Sequence, residues 1–246
     1  MKRLIMICVV LVCGTAAADT LTLSPAVVPL GGKPGQSTQQ HLTLFNGTSR
    51  ELRFRLVAKD VVVRNGVRVF ADAGDVPGSI AATAVFSTST ITVPPHQEGS
   101  ADVTLTLTPR ATHRAVVILF QSTTKIGRAT VSLGSLLTFE LAGKLSIAAG
   151  VLQADAATAS TNTKFALPVT NDGTDPAVVR GVAVLINDKG SIVGKVDLNA
   201  QRLLPGEQAT LHAEYPTDLH PGHYRVIATL EAAKQAWTRS AVLEVP

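Results

Sequence analysis

The chain has 246 residues, two cysteines, 4% aromatic side chains and a formal net charge of +4. Too few aromatics are present for a base-stacking nucleic-acid surface. Much of the charge excess is not the fold's own, because Lys2 and Arg3 belong to a leader, and +2 remains without them. A balance that small gives no reason to expect a nucleic-acid or membrane-surface partner.

Residues 1–18 read as a cleaved secretory signal peptide. Lys2 and Arg3 form the positive start, "LIMICVVLV" (4–12) the apolar run and "AAA" (16–18) the small-residue cleavage site before Asp19. The apolar run is far short of the roughly 20 residues that span a bilayer, and no later stretch is longer. Val12 stands before Cys13, where a lipoprotein anchor wants a small residue. Cys8 and Cys13 both leave with the leader, so the exported product has no disulfide and is held by burial alone. The remaining length suits two domains, each able to bury well over half its surface.

From there the chain is punctuated by Gly and Pro every 8 to 15 residues, with Val, Leu, Thr and Ile between. "GGKPGQS" (31–37) lacks the spacing of a phosphate loop and reads as a turn. "NGT" at Asn46 matches a glycosylation sequon, but Asn-Gly is also a tight-turn pair, and the turn is the reading taken. "ELRFRLVAKD" sets Leu52, Phe54 and Leu56 on one face and Glu51, Arg53 and Arg55 on the other. Such period-two alternation marks strands with one wet face. Arg50, Arg53, Arg55, Lys59, Arg64 and Arg68 make a basic cluster, read either as a wet sheet face balanced by Glu51 and Asp60 or as a docking face for an acidic partner. "FADAGDVPGSIAAT" (70–83) reads as a surface loop; its Asp72 and Asp75 fall short of a calcium ligand set. "SADVTLTLTP" alternates again, with Val103, Leu105 and Leu107 inward.

The stretch "RATVSLGSLLTFELAG" (128–143) carries an apolar row of Val131, Leu133, Leu137, Phe139 and Leu141. It is expected to be the last strand of a first domain and to lie at a sheet edge. Such an edge accepts a partner's strand by β-augmentation, and Val131, Leu133, Leu137 and Phe139 are the candidate partner-binding residues. The competing reading has the row facing its own core.

Beyond Gly143, the expected joint, the pattern starts over. "NTKFALPVTN" puts Phe165, Leu167 and Val169 inward. "LTLFNGTSRELRF" (42–54) parallels "LPVTNDGTDPAVV" (167–179), "ITVPPHQEGSADVTLTL" (91–107) parallels "RLLPGEQATLHAEY" (202–215), and "HRAVVILFQ" (113–121) parallels "HYRVIATLE" (223–231). The first copy is longer between its Asn and its Pro, and the loop at 70–83 accounts for the excess. The fold class expected is all-β: two tandem immunoglobulin-like antiparallel β-sandwiches, 19–143 and 144–246, behind the signal peptide 1–18.

"TDLHPGHYRV" (217–226) sets His220 and His223 three residues apart. A tetrahedral metal site needs further ligands, and only His212 on the preceding strand is at hand. The Pro-Gly turn entering a strand at Tyr224 has instead the form of a tyrosine corner, in which the hydroxyl bonds upstream backbone. No nucleophile elbow occurs either, because Ser135 in "SLGSLL" lies within an alternating strand. No catalytic residue, metal or cofactor is expected, and none of these motifs makes an enzyme.

Taken together, "SPAVVPLGGKPGQSTQQHLTLFNGT", "FSTSTITVPPHQEGSADVTLTLTP" and "HRAVVILF", with "VLINDKGSIVG", "RLLPGEQATL" and "LHPGHYRVIATL" later, resemble the periplasmic pilus-assembly chaperones. They resemble still more the two-domain surface proteins that partner WxL-type proteins. The resemblance implies an exported, periplasmic, non-enzymatic protein that binds another exported polypeptide, a pilus or surface subunit, through the row at Val131, Leu133, Leu137 and Phe139. The alternative it leaves is a structural or adhesive module of a surface assembly. Pilus chaperones anchor a subunit's terminal carboxylate with an Arg in the first strand and a Lys opening the last strand of domain one. "LTLSPAVVPL" has no basic residue and "VSLGSLLTF" no Lys at that place; Lys125 and Arg128 lie in the turn before it. The anchor is therefore not implied here.

Overall fold

A computed structural model describes residues 20–125, 130–141, 143–158, 162–216 and 218–246. The expected signal peptide, Asp19 and Arg128 lie outside the described residues. The chain forms two β-sandwiches. In the first half the strands are β1 (Leu21–Ser24), β2 (Val27–Gly31), β3 (Ser37–Asn46), β4 (Leu52–Arg64) and β5 (Val67–Asp72). They are followed by β6 (Val85–Phe86), β7 (Thr90–Val93), β8 (Gln97–Thr106), β9 (Ala115–Ser122) and β10 (Ser132–Glu140). One sheet runs β1-β3-β8-β6; the other runs β2-β10-β9-β4-β5, with β7 paired to the start of β4. The chain crosses from the first sheet to the second between β1 and β2, where Pro25 has no N–H to continue a ladder.

The alternation read in the sequence is what closes this sandwich. Leu52, Phe54 and Leu56 of β4 face Val103 and Leu105 of β8 and Leu107 beyond it, all buried in one cluster with Leu42, Leu44, Phe120, Leu137 and Phe139. Pairing is antiparallel throughout this half except for β10 with β2, which run parallel from Leu136↔Val27 to Glu140↔Gly31. At that margin the second strand and the last strand of this half run side by side in the same direction.

The second half forms β11 (Ile147–Ala149), β12 (Gln153–Asp155), β13 (Thr163–Asn171), β14 (Ala177–Asn187), β15 (Ile192–Leu203), β16 (Gln208–Tyr215), β17 (Gly222–Ala232) and β18 (Gln235–Val245). β13 pairs with β11, β12 and β16 in one sheet; the other runs β15-β14-β17-β18. Phe165, Leu167 and Val169 fill its core with Leu185, Leu211, Val226 and Leu230.

The repeat read in the sequence recurs at atomic level. Asn46 ends β3 fully buried, and its side-chain amide donates to the carbonyls of Arg50 (2.7 Å), Val93 (3.0 Å) and Pro94 (3.1 Å). Asn171 ends β13 fully buried and donates to Asp175 (2.9 Å) and Leu203 (3.1 Å). In each copy the same asparagine ties its own turn, four residues on, to the strand end before the Pro turn. An Asn whose amide nitrogen is so engaged is no acceptor for a glycan.

The expected surface loop at 70–83 divides in two. Asp72 to Asp75 are solvated, but Ser79, Ile80 and Ala81 are buried and lead into a short 3-10 turn, Ala81–Thr83. The apolar pair explains this: Ile80 and Ala81 join the first core.

Where the halves meet, Leu204 of the second packs with Val61, Ala115 and Val117 on the outer face of the first. Polar ties surround that contact. Arg68 pairs with Glu207 at 2.7 Å, Arg202 with Glu140 at 3.0 Å, and the Gln208 amide donates to Gly66 at 2.8 Å. Asn65 and Gly66 both have positive φ, as a two-residue hairpin turn between β4 and β5 requires. On the linker, Asp175 accepts the amides of Leu141 (2.8 Å) and Gly143 (2.6 Å).

Candidate protein-binding site

The histidine pair comes first, because it separates a chemical site from a corner. His220 and His223 are both exposed, and His212 projects from the wet face of β16. Among the described residues no group of three or more His, Cys, Asp or Glu stands close enough to hold a metal. Tyr224 is buried, and its hydroxyl donates to the carbonyl of His220 at 2.7 Å. The tyrosine corner is therefore present as read. Tyr224→Phe is expected to cost about 1 kcal/mol, the worth of one buried hydrogen bond. His220→Ala and His223→Ala should leave the melting curve nearly unchanged. A thermal melt of the three variants checks the order.

The candidate partner-binding row does not lie on one free surface. Leu137 and Phe139 are 0% and 1% exposed, inside the first core. Leu133 is half-buried against that core, and Val131, half-buried, precedes β10. Leu137 and Phe139 are thus corrected to core residues, unreachable by a partner while the sandwich is closed. The edge is corrected too: β2 covers β10 from Leu136 onward. What β10 leaves open is the start of its ladder, Ser132 to Gly134, where among the described residues only β9 is paired to it.

Which backbone groups are open follows from the ladder. The Ser122 amide donates to Val131 at 2.8 Å and the Phe139 amide to Arg114 at 2.8 Å, so odd-numbered residues of β10 bond toward β9. In an antiparallel ladder the even-numbered residues then point the other way. The Leu136 amide does so, donating to Ala26 at 2.9 Å. The N–H and C=O groups of Ser132 and the N–H of Gly134 point the same way, beyond the reach of β2.

Other edges are guarded. β1 and β6 have four and two residues. On β2, Pro29 occupies an outward-pointing position and has no N–H to offer. β5 carries Arg68, held by Glu207, and Asp72, paired with Lys59 at 2.8 Å; charged edge side chains deter pairing. In the second sandwich the margins are stitched. Arg239 of β18 donates to the Ala149 carbonyl at 3.0 and 2.8 Å, and the Tyr215 hydroxyl of β16 donates to Val193 of β15 at 3.1 Å. Against that background Ser132–Gly134 has neither proline nor charge.

The outer face of the six-stranded sheet adjoins this opening. The basic cluster supplies its rim, since Arg53 and Arg55 are exposed there and pair with no carboxylate among the described residues. Asp60 does not balance them. It is 0% exposed and points into the sandwich, a correction that alternation itself explains, because even-numbered residues of β4 face inward.

Asp60 and His113 form a buried set that sequence reasoning missed. Oδ1 of Asp60 lies 2.7 Å from His113 Nε2 and accepts the amides of Ile80 and Ala81, each at 2.9 Å; Oδ2 accepts the Ser79 hydroxyl at 2.5 Å. Burial pushes the carboxyl pKa up, but the bonds from His113, Ser79 and the Ala81 amide, with the attraction of the His113 ring, outweigh it and hold it below the ordinary aspartate value. The signal was available: Asp60 falls on the apolar parity of "LRFRLVAKD", where a charge has to be paired. This set anchors the insertion loop.

No family model and no curated protein matches this chain. Its structure is similar to those of fimbrial chaperones. With the class 5 fimbriae chaperone CfaA it shares 12% identity at a TM-score of 0.46, covering 92% of this chain and 100% of that one. With the CupB2 chaperone of Pseudomonas aeruginosa the values are 12%, 0.43, 92% and 100%. With the E. coli chaperone DraB they are 12%, 0.43, 93% and 96%. Among the described residues, no helix is long and apolar enough to cross a membrane.

Proposed function

We propose that this is an exported, non-enzymatic periplasmic protein that binds another polypeptide, a pilus or surface subunit, by adding the partner's strand to β10. Its two sandwiches are assigned to 19–143 and 144–246. The observation that carries the reading is the opening at Ser132–Gly134, unguarded among the described residues, whose other edges are short, charged, stitched or blocked by proline. Main-chain groups supply affinity in such an addition, and alternate side chains supply selection. Val131 and Leu133 then contact the partner at their half-exposed sides, while Leu137 and Phe139 hold the strand in place from the core.

Pro29 shows how such an edge is closed, and the test copies it. Ser132→Pro removes an outward N–H from a position that β9 does not use, so the fold should melt within a few degrees of wild type. Binding of an unfolded or edge-lacking pilus subunit, read by pull-down with purified components, is expected to be lost. A Ser132→Pro variant that keeps both fold and binding overturns strand addition at β10.

A further inference from the structure

The outer face of the six-stranded sheet is ordered in rows, which the registers fix. Arg53 stands beside Thr92. Arg55 lies between Thr90 and Gln121, with Ser132 beyond. The next row is Val57, Leu119 and Gly134. Below it come Lys59, Val117, Leu136 and Val27, and then Val61, Ala115 and Thr138, where Leu204 of the second sandwich closes the face. The part left uncovered therefore has an apolar floor and a basic rim, and the open end of β10 lies along one side of it.

Gly134 stands where the floor has no room for a side chain. A Cβ there would come within 2.9 Å of Val117 Cγ2 and 3.2 Å of Leu119 Cδ2, so the position is held by the absence of a side chain. The rim has unanswered charge. Among the described residues Arg55 finds only the Gln121 side-chain oxygen, at 3.1 Å, whereas Lys59 and Arg68 on the same face each have a carboxylate. Glu51, the acid nearest in sequence, forms no ion pair with either arginine among the described residues, and Asp60 is turned to the opposite side of the sheet.

We infer that this face receives an acidic, apolar stretch of the partner polypeptide. One apolar side chain packs on the floor at Val57 and Leu119, beside Gly134, and a carboxylate just beyond it meets Arg55 and Arg53. The inference rests on the strand-addition reading and supplies its selectivity: the backbone of β10 takes any extended chain, and the face beside it selects for acid next to an apolar residue. Charge complementarity of this kind governs which partner is taken and makes binding salt-sensitive.

The test uses the full exported chain and two short fluorescent peptides, both alternating valine and threonine, one with two central aspartates and one with two central lysines. Anisotropy at low and physiological salt should show the aspartate peptide binding about tenfold tighter, as one charge-assisted contact implies, with the margin shrinking as salt rises. An Arg53→Ser, Arg55→Ser double variant should lose that margin while still binding both peptides, and Gly134→Leu should weaken both. Equal binding of the two peptides by wild type, or an undiminished margin in the double variant, overturns the inference. If binding persists without charge preference and still fails in Ser132→Pro, strand addition stands and this face falls alone. If neither peptide binds wild type, both fall.

Discussion

Leu137→Glu should leave the first sandwich unfolded at room temperature. Leu137 is 0% exposed and packs in the cluster that includes Phe54, Phe120 and Phe139. Removing a buried leucine costs about 2–5 kcal/mol in lost transfer and cavity alone. A carboxylate with no partner in that place adds several kcal/mol more, or takes up a proton to avoid it. A domain of this size has only about 5–15 kcal/mol in hand. Leu133→Glu is the informative companion. Its half-buried side chain lies beside the open stretch, so the charge can turn to water and the melt should fall by a few degrees only. Far-ultraviolet circular dichroism with thermal melting separates the two. A Leu137→Glu protein that melts with wild type would mean that the C-terminal half of β10 is not core, and a Leu133→Glu protein that is unfolded would mean that its N-terminal half is.

The contrast between these neighbours shows what the sequence can and cannot convey. Period two places Leu133, Leu137 and Phe139 on one side of a strand, and they do share a side. It does not say what lies over that side, because burial depends on the opposite sheet, which reaches Leu137 and Phe139 and thins out near Leu133. The same limit applies to the edge. A last strand was expected to be open, but β2 joins it in parallel, a pairing between residues more than a hundred positions apart that no local pattern announces. Short-range chemistry was legible throughout. The tyrosine corner, the Asn-Gly-Thr turn and the repeated halves follow from neighbouring residues, and Asn46 and Asn171 repeat one another's bonds. Asp60 was within reach on parity alone, but its partners Ser79 and His113 lie 19 and 53 residues away.

Those distant partners make Asp60 the position of the second large effect. Asp60→Ala would strand the amides of Ile80 and Ala81, the Ser79 hydroxyl and the His113 ring N–H inside the protein, and it should cost about 3–5 kcal/mol, as for other buried charged networks broken on one side. Asp60→Asn keeps an acceptor for the two amides, and gives up the charge and the oxygen that accepts the Ser79 hydroxyl, so its cost should be smaller than that of alanine. Acidity then distinguishes the charge from the shape. Because the folded carboxyl sits below its ordinary value of 3.8, its contribution is fully present above that pH and is lost as pH falls through the folded value. Wild type should therefore lose stability relative to Asp60→Asn below about pH 3.8, and the gap between them, read by urea unfolding at a series of pH values, should close from the acid side. Hydrogen exchange gives the local measure. The amides of Ile80 and Ala81 should exchange faster in Asp60→Ala than in Asp60→Asn by more than the global stabilities account for, since the carboxylate is what fastens the 70–83 loop to the sheet. A gap that stays constant from neutral pH to pH 3 would mean that Asp60 acts as a neutral acceptor and that its charge does not hold the loop.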